Sequence, residues 1–388
     1  MTPASKRWLW SLVALVSLAL IFRFTLLPTS DPDTGTIHWC LLCGELGLSD
    51  TVGNIALFAP LAVGLYCAGM RGWKVVGLLF LLSTTIELVQ LRIPGRESAL
   101  GDVVSNTLGA IAGVGLAWWL PRRRRSAMAG FVAAAAVLGL IIAIGYVFRP
   151  SFPRTTYFGQ WTPELGQYET YRGKELGAEI GGMQLHSWSV PDSKAVRDRL
   201  LGGEILRVTA VAGPRTRALA PVFSIFDAEQ SEIALLGADG GDLVLHVRLR
   251  ATDWLLRQPD LRWRGALAAV SAGDTMALGF RRASPGFCLS LNGWERCGLA
   301  YTAGQAWGLI QFFPRLSAAS QAAFSVLFMV VLGMCVGGFV RRDAAGYLAA
   351  GVVLAGALVV PMLVGLAPTP LVQLGGLAAG IAGAAFIP

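Results

Sequence analysis

Seven polar side chains interrupt apolar sequence in the first third of the chain: Asp50 and Asn54, Glu87 and Gln90, Arg96, and Asp102 and Asn106. Asp50 with Asn54 and Asp102 with Asn106 stand at i, i+4, and Glu87 with Gln90 at i, i+3, so each pair shares one face of a helix. A carboxylate in lipid needs a partner, water or a purpose. Three readings suit this set. The residues can tie helices together, with Asp102 as an N-cap before Val103. They can bind a charged or glycosylated head group, because the planar fork of Arg96 matches phosphate or carboxylate. Glu87 and Asp102 can also act as acid and base. No nucleophile motif, metal cluster, P-loop or dinucleotide fingerprint accompanies them, so the catalytic set, the metal set and the cofactor are each read as none.

The elements that must position these residues are membrane helices. Of the 388 residues 54% are hydrophobic and 14% charged, and the mean hydropathy is +0.57, which is the composition of a membrane protein. A span takes about 20 apolar residues, and the sequence predicts about eight, near 8–27, 53–70, 74–91, 103–120, 127–148, 318–340, 344–366 and 371–387. Lys6 and Arg7, Arg71 and Lys74, Arg122, Arg123, Arg124 and Arg125, and Arg341 and Arg342 fall at alternate ends of these spans. The positive-inside rule then puts both termini in the cytoplasm. The net charge of +8 is read as topology and anionic-lipid contact rather than a nucleic-acid partner. Two segments face outward, the acidic loop from Asp31 to Asp50 and residues 149–317. The seven polar residues, with Arg23 as a possible second cation, then sit at the outward ends of their helices.

Between the fifth and sixth spans the composition changes. FSIFDAEQSEIALLGADGGDLVLHVRLR reads as three strands joined by turns. In FCLSLNGWERCG, Asn292-Gly293 is the preferred centre of a two-residue hairpin turn. That register opposes Leu291 to Trp294, Ser290 to Glu295, Leu289 to Arg296 and Cys288 to Cys297, and predicts a disulfide between the last two. Cys40 and Cys43, in HWCLLC, are a second pair that can close outside the cytoplasm. Trp161, Trp188, Trp254, Trp263 and Trp307 are assigned to the core. The predicted fold is an α-helical membrane bundle with an inserted all-β jelly-roll or sandwich. Its domains are 1–148 (five helices), 149–317 (sandwich) and 318–388 (three helices).

Two resemblances follow from these motifs. NIALFAPLAVG, STTIELVQ, Arg96 and GDVVSNTLGAIAG, after the TLLP of residues 25–28, resemble the VanZ-like family over about residues 8–120. The paired strands, acidic Gly turn and NG hairpin resemble a laminin-G or concanavalin-like jelly roll over about residues 155–312. The first resemblance implies a protein of the bacterial inner membrane, in a family whose founding member raises teicoplanin resistance. The second implies glycan contact. Together they predict a binder of an envelope glycan, lipid-linked intermediate or glycopeptide, in contact with membrane lipids. The competing classes are a membrane-embedded enzyme acting on such a lipid and an assembly factor with an envelope protein partner.

Overall fold

The computed structural model describes residues 3–28, 36–123, 125–161, 168–186, 188, 190, 192–311 and 316–386. Asp31, Arg124 and the side chain of Lys6, which entered the topology reading, lie outside the described residues. The chain divides into two compact units, residues 1–125 with 254–257, and residues 126–253 with 258–387.

The first unit runs α1 (Pro3–Thr25), β1 (Ile37–His38), α2 (Gly47–Cys67), α3 (Gly72–Gln90), β2 (Ser98–Ala99) and α4 (Leu100–Trp119). Its helices form because long apolar runs satisfy every backbone group internally, as lipid requires. They stop at local signals. Gly69, at φ +113°, turns the chain between α2 and α3, and Pro121 follows α4 in a short 3-10 turn whose Arg122 donates back to the carbonyl of Trp118. α4 packs against α2 and α3, and α1 against α2. The α2–α4 contact is close because α4 presents Gly109 and Gly113. A Cβ at Gly113 would lie 2.4 Å from the carbonyl oxygen of Ala59, and one at Gly109 would lie 2.7 Å from that of Ile55. Ile21, Phe58, Leu61, Val75, Leu79, Ile86 and Ala110 fill the core between the helices. The two-residue strands β1 and β2 pair in parallel and place the Cys40–Cys43 segment beside the start of α4, where Gly101 N–H donates to the carbonyl of Cys40. Cys40 and Cys43 are joined in a disulfide.

The second unit opens with α5 (Ala127–Val147) and builds two antiparallel sheets from β3 (Phe158–Trp161), β4 (Lys174–Ile180), β5 (Met183–Leu185), β6 (Leu206–Val211), β7 (Leu219–Phe226), β8 (Glu232–Asp239), β9 (Asp242–Val247), β10 (Leu261–Trp263), β11 (Thr275–Arg282), β12 (Phe287–Leu291) and β13 (Trp294–Leu299). One sheet has the order β10-β9-β8-β7-β3 and the other β13-β12-β11-β6-β4-β5. The short α6 (Ser193–Gly202), capped by Asp192, joins β5 to β6. The apolar helices α7 (Ala318–Gly337), α8 (Ala344–Leu363) and α9 (Leu371–Phe386) follow. The region is therefore a sandwich-like pair of sheets between apolar helices, as composition predicts.

The three strands read from FSIFDAEQSEIALLGADGGDLVLHVRLR are β7, β8 and β9, paired in sequence order. β7 and β8 are buried along nearly their whole length, which fits their continuous apolar sequence better than alternation would. The β12–β13 hairpin turns on Asn292 (φ +49°) and Gly293 (φ +87°), and it opposes Leu291 to Trp294, Ser290 to Glu295 and Leu289 to Arg296 as predicted. Beyond Leu289 the pairing shifts, with Phe287 opposite Leu299. Gly298, at φ +76°, takes up the extra residue as a bulge. Cys288 and Cys297 are bonded, with their Cα atoms 4.0 Å apart.

Two expectations change. Among the described residues seven helices are long and apolar enough to cross a membrane, and the last, α9, is described over 16 residues. Trp188 and Trp254 do not join the core, being 75% and 56% exposed, while Trp161, Trp263 and Trp307 are partly buried.

Candidate functional site: a polar layer at one end of the first unit

Asp50 and Asn54 lie in the first two turns of α2, Glu87 and Gln90 in the last turn of α3, and Asp102 and Asn106 in the first two turns of α4. With antiparallel neighbours, these are the same ends of three packed helices. The structure brings the residues into one layer. Asn54 Nδ2 donates to Asp102 Oδ1 at 2.8 Å, linking α2 to α4. Asn106 Nδ2 donates to Ser83 Oγ at 2.9 Å, linking α4 to α3. Glu87 Oε2 accepts the backbone N–H of Ala99 at 3.0 Å, tying α3 to the residue just before α4.

Glu87, Gln90 and Asn106 are 6%, 5% and 3% exposed, so these bonds satisfy groups that water cannot reach. Asp50, at the rim, is paired instead with Arg257 Nη2 at 2.9 Å, and the neighbouring Ser49 Oγ accepts the N–H of Arg257 at 2.8 Å.

Asp102 is not the N-cap. α4 begins at Leu100 with Ala99 at the cap and no side-chain cap bond, so the carboxylate stands inside the first turn and is held by Asn54. Negative charge there still suits the helix N-terminus.

Arg96 has a role different from the one its fork suggests. Nε donates to the carbonyl of Leu27 at 2.9 Å and Nη2 to that of Phe24 at 2.7 Å. Phe24 is in the last turn of α1 and Leu27 two residues beyond it, where carbonyls run short of intrahelical donors. Gln90 Nε2 completes this cap by donating to the carbonyl of Thr25 at 2.9 Å. The edge of the guanidinium that would grip a phosphate is thus spent on backbone, and partial burial lowers the Arg96 pKa from its ordinary value. Arg23 is exposed on α1.

The remaining capacity of the layer is one-sided. Among the described residues Gln90 Oε1 and Asn106 Oδ1 are buried acceptors with no hydrogen-bond partner, and the carboxylates of Asp50, Glu87 and Asp102 keep lone pairs beyond the bonds they make. What the layer offers a ligand is acceptors, which match hydroxyls, amides or an ammonium group rather than an anion.

Ser83, Ser49 and Arg257 belong to the site and were missed in the sequence. Ser83, Glu87 and Gln90 recur at i, i+4 and i+7, a spacing that puts all three on one helix face and would have found Ser83. Arg257 lies 207 positions from Asp50, and no local pattern points to it.

Residues 5–121, the segment that carries the whole layer except Arg257, match the family model of VanZ/LLP1. No curated protein and no solved structure matches the chain.

Proposed function

We propose that this multi-pass membrane protein works in the bacterial envelope. Its VanZ-like unit binds the polar part of a glycan-bearing ligand, either a lipid-linked envelope intermediate or a glycopeptide of the teicoplanin type. The positive-inside rule places the polar layer at the extracytoplasmic ends of α2, α3 and α4. The observation that carries the reading is the acceptor surplus. Among the described residues Gln90 Oε1 and Asn106 Oδ1 are buried without a donor, and each such atom costs about 1–3 kcal/mol. Opening of the layer lets a hydroxyl-rich or ammonium-bearing ligand supply the missing donors, and Arg96, tied to α1, sets the height of the site rather than gripping an anion. Binding is favoured over catalysis because the acids are held by Asn54 and by the Ala99 amide.

The test is native mass spectrometry of the detergent-released protein beside a Glu87→Gln, Asp102→Asn variant, which keeps side-chain shape but replaces acceptor oxygens with donors. A hydroxyl-rich lipid or lipid-linked glycan that travels with the wild type and is lost from the folded variant is the expected result. The same bulk lipids on both folded proteins would reduce the layer to a helix-tying network.

A further inference from the structure

We infer that the second unit carries a separate site for the phosphodiester head group of an anionic membrane lipid, with Arg149 and Arg282 as its cationic ligands. The inference stands on residues other than those of the polar layer, so the two readings fail independently.

A cavity of about 610 Å³ opens where α5 and α8 end, closed on the other sides by the end of α6, the β11–β12 turn and the chain at Tyr301. That volume lies in the range of small-molecule pockets. Its lining holds two arginines and no acidic residue, and among the described residues neither guanidinium has a carboxylate partner. The sheets of the same unit hold arginines that are paired: Arg262 with Asp239 and Asp260, Arg281 with Glu295, Arg248 with Asp227.

Three helices end at this cavity, and arginines there could be serving as C-caps. Backbone amides already do that work. Phe148 and Arg149 N–H bond to the carbonyls of Ile144 and Tyr146, Ala251 N–H to that of Val147, and Leu366 N–H to that of Pro361, while Gly203 and Glu204 close α6. The two side chains are left available for an anion.

The surroundings distinguish a lipid from a soluble anion. The floor is apolar: Phe148 stacks on Tyr301 with ring centroids 4.5 Å apart. Met362 and Leu363, at the lip, are 55% and 76% exposed and continue the lipid-facing side of α8. The cavity is at the ends of α5 and α8 farthest along each helix from Arg125 and from Arg341 and Arg342, which is the outward boundary of the bilayer by the same charge rule. Tyr146, with the Arg250 guanidinium 4.5 Å from its ring centroid, marks that boundary as interfacial aromatics do. A phosphodiester at the arginines with an acyl chain along Met362 and Leu363 satisfies both halves of the lining.

The experiment titrates the full chain in detergent with phosphatidylglycerol or with phosphatidylcholine of identical acyl chains and counts retained lipids by native mass spectrometry. Wild type should hold one phosphatidylglycerol more tightly than any phosphatidylcholine. Arg149→Gln and Arg282→Gln should each weaken that lipid about fivefold and together about thirtyfold, the effect expected of one cation apiece near a membrane surface. Arg149→Lys with Arg282→Lys should retain most of it, which separates charge from packing. Equal retention of the two lipids, or a folded double Gln variant that binds as wild type does, overturns the site. Displacement of the lipid by millimolar inorganic phosphate overturns the lipid assignment in favour of a soluble anion.

Discussion

The two units each gather polar groups where apolar helices end, yet the outcomes are opposite in sign. In the first, a dense and conspicuous set of residues is largely consumed by the protein: Arg96 caps α1, Asn54 holds Asp102, Glu87 holds Ala99, and the remainder is a surplus of acceptors. In the second, two arginines far apart in sequence meet at a cavity and are not consumed. The difference teaches that the number of polar residues in a cluster says little about what the cluster can bind. The residual hydrogen-bonding capacity, after internal partners are subtracted, says much more.

The contrast can be broken most severely at the helix contact beneath the first layer. Gly113→Leu would drive a side chain into the Ala59 carbonyl, 2.4 Å from the Cβ position, and should cost about 3 kcal/mol or more and scatter the polar layer. Gly115→Leu, on the same helix but facing open space, should change stability by less than about 0.5 kcal/mol. Thermal unfolding in detergent compares the two, and similar losses would mean that the α2–α4 contact is not what holds the layer.

In the second unit the contrast is between the cavity arginines and the charge pairs held within the sheets, and His246 tests those pairs. Burial disfavours its charged form, but the adjacent Glu232 and the nearby Asp260 outweigh burial and raise its pKa to about 9. A raised pKa means that the folded state holds the proton more tightly, so this contribution is fully present below about pH 6.5 and disappears as pH rises through about 9. The unfolding midpoint of the sandwich should therefore fall by a few degrees between pH 6.5 and 9.5 in the wild type, and His246→Gln should flatten that slope. An unchanged slope in the variant would assign the pH dependence elsewhere.

The smallest effect sharpens the claim that the first layer is wired internally. A double-mutant cycle on Asn54→Ala and Asp102→Ala should give a coupling energy of about 1 kcal/mol, read from unfolding midpoints. A coupling near zero would free both side chains for a ligand and bring the two units closer in character.

Much of this was legible in the sequence where the governing physics is local. Helical spacing grouped Asp50 with Asn54 and Asp102 with Asn106, and the Asn292-Gly293 turn set the strand register that brings Cys288 to Cys297. Legibility ended where partners are distant or are backbone atoms. The carbonyls of Phe24 and Leu27 that take Arg96 have no signature in a list of residue types, because every residue has a carbonyl. The N-cap reading of Asp102 failed because the helix starts at Leu100, three residues before Val103, after a short β pairing that two residues of sequence do not announce. Trp188 and Trp254 read as core residues, yet residue type does not fix the face on which a residue between strands lies. The cavity of the second unit was not anticipated, since it is assembled from five separated segments.

The close approach of α7 and α9 carries a mechanical consequence. A Cβ at Gly337 would lie 2.1 Å from the carbonyl oxygen of Ile381 and one at Gly380 would lie 2.1 Å from that of Val330, so neither helix can turn about its axis or slide past the other without driving side chains into backbone. The two move as a single rod, and any tilt that the bilayer asks of α7 is handed on to α9.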